Sequence, residues 1–185
     1  MYNSNTGICI LIRRMHKNII NYFELYNIPV SFQVDPKLLE KRYQDLSRHE
    51  QNESSEKASL INKGYKIFQD EYETIRYVLE IKNLITKDEE YPLDPQFLME
   101  VRDINEELME LELDERQEQL INVEQKTNQL LLKIYEDVAP VIDSYKEGIT
   151  TEEELLQVKD FYFQKKYLQG ILDRIKGIRN IASPL

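Results

Sequence analysis

Thr86-Lys-Asp-Glu-Glu-Tyr-Pro-Leu-Asp-Pro95 is the stretch on which the reading of this chain turns. Its charges and two prolines, Pro92 and Pro95, interrupt an apolar pattern that runs on either side, so it predicts a break between two halves, placed here at residues 88 and 89. Asp94-Pro95 also starts a helix: the carboxylate can cap exposed amides, and proline at the first helical position gives up an N–H that would have no partner anyway. Beyond it, Phe97, Leu98, Val101, Ile104, Leu108 and Leu111 keep helical spacing. Leu120, Val123, Thr127, Leu130, Ile134 and Val138 make a second and longer stripe, which Pro140 should kink or end one turn early. Thr150 with Glu153, or Thr151 with Glu154, fits the capping box, and a last helix follows through Leu155, Val158, Tyr162, Leu168, Ile171 and Ile175. Three long helices with short connections predict a bundle over residues 89–185.

On the other side of the break, Asn21 to Tyr26 reads as a short helix that ends before Ile28-Pro29, because the residue before proline is pushed out of the helical region. Asp35-Pro36 repeats the start signal, and Leu39, Tyr43 and Leu46 then share one face, with Lys41, Arg42 and Arg48 left outside it. The polar run His49 to Ser55 is a loop. After it, Leu60, Ile61, Tyr65 and Phe68 form a stripe that can lie antiparallel on the previous one, giving a helical hairpin. A segment from Tyr72 to Ile85 is expected to pack beneath the hairpin, which assigns residues 18–88 to the first lobe and leaves 1–17 as an extension.

Composition agrees with an all-α chain: of 185 residues 41% are hydrophobic and 31% charged, with 5 glycines and no tryptophan. The net charge of -10 argues against general nucleic-acid binding and favours protein partners. Charge is uneven, because residues 1–48 carry 7 Lys and Arg against 4 acids, about +3, which leaves about -13 for the remainder. Cys9 is the single cysteine, so neither an intrachain disulfide nor a four-thiolate zinc site can form, and a reducing compartment fits. The apolar run Gly7 to Ile12 is too short for a membrane span and is followed rather than preceded by Arg13-Arg14, so it does not read as a signal peptide. Met15 offers an alternative start, and a basic leader without acids leaves organellar targeting open.

Asn21-Tyr-Phe-Glu-Leu-Tyr26, Ile28-Pro29, Arg42-Tyr-Gln-Asp-Leu-Ser-Arg48 and Asn62-Lys-Gly-Tyr-Lys-Ile-Phe68 resemble the helices of HscB-type J-domains. Phe97-Leu-Met-Glu100 with Glu106-Glu107-Leu108 is similar to the start of that family's C-terminal bundle, and the likeness covers about residues 20 to 180 in unchanged order. The resemblance implies an L-shaped, all-α co-chaperone, not an enzyme, made of a J-domain-like hairpin and a C-terminal three-helix bundle. It would hand an iron–sulfur scaffold protein of the IscU type to an ATP-driven HscA or DnaK-type chaperone. The implied scaffold-binding residues are Leu98, Met99, Asp103, Glu106, Glu110 and Phe163, and the implied chaperone-binding residues are Lys41, Arg42, Arg48 and His49. An exposed Leu-Met pair offers an adaptable apolar contact and the carboxylates a polar rim. Arg102 departs from the family, which more often carries an apolar residue there. His49-Glu50-Gln51 stands where J-proteins carry the trigger His-Pro-Asp, in a loop several residues short. Either the stimulating step is lost or the sequence joins the two ends of an omitted loop. The implied compartment is the cytoplasm, with the mitochondrial matrix as the alternative, and the chain is expected to be a monomer or weak dimer.

Three blander or sharper readings stand beside this one. Glu100, Asp103, Glu107 and Glu110 share a helix face and could collect a cation, although a solvated charged face explains them better. A di-iron bundle site would need Glu-x-x-His pairs, and His16 and His49 lie outside the bundle, so no metal or cofactor is expected. Phe161, Tyr162 and Phe163 are consecutive, so at least one of them, Phe163 by the family mapping, is expected at an exposed surface. The chain holds no glycine-rich phosphate loop, Cys-His pairing or nucleophile elbow. The competing function is a helical adaptor or coiled-coil dimerisation protein, suggested by the stripe from Leu120 to Val138.

Overall fold

The computed structural model describes residues 21–49, 55–113 and 117–182. Among them it has seven helices and no strand: α1 (Tyr22–Tyr26), α2 (Pro36–His49), α3 (Ser55–Gln69), α4 (Glu71–Ile81), α5 (Pro95–Leu113), α6 (Gln117–Ser144) and α7 (Glu152–Ala182). The extension over residues 1–17 and the centre of the loop after His49 lie outside the described residues.

Residues 22–29 and 35–69 form one compact unit. Asn21 caps α1 by accepting from the amides of Phe23 and Glu24, and Asn27, in the left-handed region at φ 49°, ends it before Ile28-Pro29 is reached. Asp35 caps α2 by accepting from Lys37 N at 2.9 Å. The hairpin of α2 and α3 is antiparallel: Tyr43 donates to Asn62 at 3.0 Å, while Tyr65, stacked on Tyr43, donates to Glu40 at 2.5 Å. The Tyr65 hydroxyl, then Gln44, hold the Glu40 carboxylate below its usual range. Under the hairpin lie Phe23, Tyr26, Leu39, Ile61 and Phe68. The Tyr26 hydroxyl donates to Ile61 O at 2.6 Å, and its ring meets Phe68 edge-on. Burial pushes the Tyr26 phenol up, so this side chain serves as a neutral donor. Gly64 is required by this contact, since a Cβ there would stand 2.8 Å from the Tyr26 ring.

The second unit contains residues 30–34 and 70–182. The helix from Glu71, expected under the hairpin, therefore groups with the C-terminal helices, and the compact division falls between Gln69 and Asp70. Asp70 explains why a new helix starts there: its side chain accepts from Glu73 N at 3.0 Å. The buried face of α4 is Thr74, Ile75, Tyr77, Val78 and Leu79, and α4 packs on α7. The three long helices α5, α6 and α7 build the bundle. The α6 stripe from Leu120 to Val138 is buried as expected, including Thr127, whose hydroxyl donates back to Val123 O at 2.8 Å and so satisfies a buried polar group. α6 runs one turn beyond Pro140 to Ser144 rather than ending early, and Ser144 Oγ donates to Pro140 O at 2.5 Å. The capping box ahead of α7 is the pair Thr151 and Glu154, each accepting from the other's backbone amide, at 2.7 and 3.2 Å.

Candidate functional site

Asp94 fixes where the candidate face begins, because it accepts from the amides of Gln96 and Phe97 at 2.8 and 3.2 Å and starts α5. With that start, Phe97, Val101, Ile104, Leu108 and Leu111 turn inward and are buried. Met99, Asp103, Glu106 and Glu110 then follow one another at intervals of four, three and four residues along the opposite, outward row. Leu98 lies on the flank of that row, 42% exposed, and Met99 on its crest, 62% exposed. Two large apolar side chains held in water at the start of an acidic helix face form an adaptable contact that burial against a partner would stabilise. Met109, 61% exposed on the Leu98 flank, belongs to the same face. Its spacing of eleven residues from Leu98 was the available signal, lost among the acids around it.

Arg102 changes the electrostatics of this face. Its guanidinium lies 3.4 Å from Asp103 and 3.6 Å from Glu106, so part of the acidic row is neutralised within the chain where an apolar residue would have left it bare. On the other flank Lys133 pairs with Glu100 at 2.9 Å and Lys126 pairs with Glu107, both reaching across from α6. These lysines account for two of the four acids that could have collected a cation, and no metal-ligating cluster occurs among the described residues.

Phe163 departs from expectation, being 8% exposed. Phe161, Tyr162 and Phe163 are all buried, because α7 is covered on three sides. Phe161 faces Tyr135 of α6, Tyr162 stacks on Tyr72 of α4 with ring centroids 4.9 Å apart, and Phe163 stacks on Tyr91 of the segment before α5. Tyr72 donates to Tyr162 O at 3.2 Å, and burial, above all, pushes its phenol up. The 84–91 segment is held down by Lys159, whose ammonium donates to Leu84 O at 2.7 Å and Glu89 at 2.6 Å and lies 5.0 Å from the Tyr91 ring centroid. Burial and the Asp160 carboxylate that accepts from its hydroxyl push the Tyr91 phenol up to about 12. The sequence pattern of α7 shows a triple of aromatics but not that a non-helical strap will cover one of them.

On the first unit, Lys41 and Arg48 are exposed in one row of α2, two turns apart, with Asp45 half-buried between them. Arg42 is half-buried, and its Nε is shielded from solvent without a hydrogen-bond partner among the described residues. His49 closes α2, and its side chain lies outside the described residues, as does His16.

Residues 93–176 match the family described as the HSCB C-terminal oligomerisation domain. The chain is 31% identical over 102 residues to a Vibrio cholerae protein named co-chaperone protein HscB homolog; the match takes in 48% of this chain and 60% of that protein's length. It is 26% identical over 169 residues to the mouse iron-sulfur cluster co-chaperone protein HscB, covering 84% of this chain and 68% of the mouse protein. In fold it is similar to the crystal structure of human co-chaperone protein HscB, with a TM-score of 0.66 and 23% identity over 86% of this chain and 82% of that one.

Proposed function

We propose that this chain, which is similar to HscB proteins in its bundle and in its helix order, is a non-catalytic co-chaperone of iron–sulfur cluster assembly. It binds a scaffold protein of the IscU type and delivers it to an HscA or DnaK-type ATPase chaperone. The scaffold meets the outward row of α5: Leu98 and Met99 supply the apolar contact, and Asp103, Glu106 and Glu110 supply the rim. Phe163 supports this face from the α7 side, under Tyr91. The chaperone meets the α2 surface that carries Lys41, Arg42 and Arg48, with His49 at its end. The cytoplasm, or the mitochondrial matrix, is the compartment that suits this role.

The observation that carries the reading is the exposure of Leu98 and Met99 beside an acidic row. Side chains of this size, wetted in the free chain and buried in a complex, are where binding energy concentrates, with anchors costing about 2 kcal/mol or more each on truncation. Calorimetric titration of the full chain with an IscU-type scaffold tests it. The Leu98→Ala and Met99→Ala variants should each weaken the complex roughly thirtyfold, which is what about 2 kcal/mol means. Affinity unchanged in both variants would remove the assignment of this face.

A further inference from the structure

α6 carries three consecutive leucines, Leu130, Leu131 and Leu132. Successive helical residues stand about 100° apart, so one face cannot bury all three. Leu130 enters the core, Leu131 is half-buried, and Leu132 is 57% exposed. A polar residue would serve at that position, as the exposed Asn128 and Glu136 do one turn to either side. Leu132 borders a groove of about 320 Å³ on α4, α6 and α7, with Leu131, Tyr135 and Phe161 along it. The groove lies wholly within the second unit and contains no residue of α5, so what it binds does not depend on what α5 binds.

Two charges of opposite sign line the same groove, Lys165 and Glu71. The Lys165 ammonium lies 5.0 Å from the Tyr72 ring centroid and 5.7 Å from that of Phe161, and no carboxylate pairs with it among the described residues. The Glu71 carboxylate accepts from the Tyr135 hydroxyl at 3.2 Å and from the Gln33 side-chain amide at 3.3 Å, and it too has no opposite charge among the described residues. Aromatic rings hold the cation and neutral donors hold the anion, so each charge is kept in place without being neutralised.

We propose that this groove is the contact between two copies of the chain related by a two-fold axis. Leu132 packs against its own copy, and Lys165 and Glu71 of each copy meet Glu71 and Lys165 of the other. A two-fold interface joins one patch to itself, so the patch must carry both signs of charge around an apolar centre, as this one does. A purely acidic segment would set its charge against Glu71 and a purely basic one against Lys165, so charge complementarity selects the second copy over either. In a chain of net charge -10 two copies repel unless opposite charges meet at the contact.

Sedimentation equilibrium of the full chain, up to about 1 mM, tests the proposal. Wild type should dimerise, and Leu132→Asp, at an exposed position that leaves the core intact, should weaken the dimer about tenfold or more. Lys165→Glu sets acid on acid twice per dimer, and Glu71→Lys sets base on base twice, so each variant alone should also lose about tenfold or more. Mixed in equal amounts, the two variants restore both pairs, because the acids of one then meet the cations of the other. The mixture should dimerise at least as tightly as wild type, a recovery that neither a misfolded variant nor a contact elsewhere would give. The proposal is overturned by a wild type that stays monomeric, by a Leu132→Asp variant that dimerises normally, or by a mixture that associates no better than its components.

Discussion

The ring of Tyr91 lies nearly flat on the ring of Phe163, with 4.5 Å between centroids and 10° between planes. Lys159 stands over the Tyr91 ring, and Asp160 accepts from the Tyr91 hydroxyl, so one residue outside any helix closes the side of α7 that would otherwise show an aromatic ring to water. Tyr91→Ala should therefore destabilise the bundle by about 1–2 kcal/mol, more than a surface tyrosine and less than a fully buried one. Tyr91→Phe keeps the stack and should lose less. Urea denaturation of the two variants checks this, and equal stability of Tyr91→Ala and wild type would mean that the stack does not hold the segment.

That relationship also marks what the sequence could not show. Asp35, Asp94 and Thr151 announce their helices because capping is a local event between a side chain and amides two or three residues on. The buried stripe from Leu120 to Val138 was likewise readable, as helical spacing repeats along one chain segment. Coverage is different in kind. Nothing local to Phe163 shows that Tyr91, 72 positions away, will lie on it, nor that Asp70 will start a helix whose apolar face turns to α7. On the α5 face, the exposure of Leu98 was not decided by spacing, because Leu98 and Met99 are adjacent and one of them could have been core; that both face water depends on the course of α7 beside Phe97.

Gly64→Ala tests the packing of the first unit. A Cβ at that position would come within 2.8 Å of the Tyr26 ring and 3.0 Å of the Tyr22 ring, both anchored in α1, so helix propensity gained in α3 is lost to a displaced α1. The variant should lose about 1–3 kcal/mol of hairpin stability, the range for overpacking a filled core. Amide exchange in α1 and α3 reads it out, and a variant as stable as wild type would show that α1 yields freely.

Exposure on α5 predicts a separation of stability from binding. Leu98→Ser and Met99→Ser should leave unfolding within about 0.5 kcal/mol of wild type, because neither side chain is part of the core. Leu108→Ala, on the inward row of the same helix and fully buried, should cost about 2–5 kcal/mol. Chemical denaturation of the three variants checks the register of α5: comparable losses in all three would mean that Leu98 and Met99 are core residues.

Acidification should loosen the strap before α5. The Lys159 ammonium, chiefly, holds the Glu89 carboxylate below its usual range, with Thr86 N at 3.0 Å assisting. Since the folded value lies below the unfolded one, near 4.3 for an ordinary glutamate, the stabilisation is complete above that pH and disappears as pH falls through the folded value. The pair is shielded, Lys159 being 13% and Glu89 22% exposed, so about 1 kcal/mol is at stake at neutral pH. Glu89→Gln should be less stable than wild type by that amount at pH 7 and indistinguishable from it near pH 3, because the wild-type carboxyl is then also uncharged. Urea unfolding of both proteins across this range decides the matter, and a gap that stays constant down to pH 3 would assign the loss to packing rather than to charge.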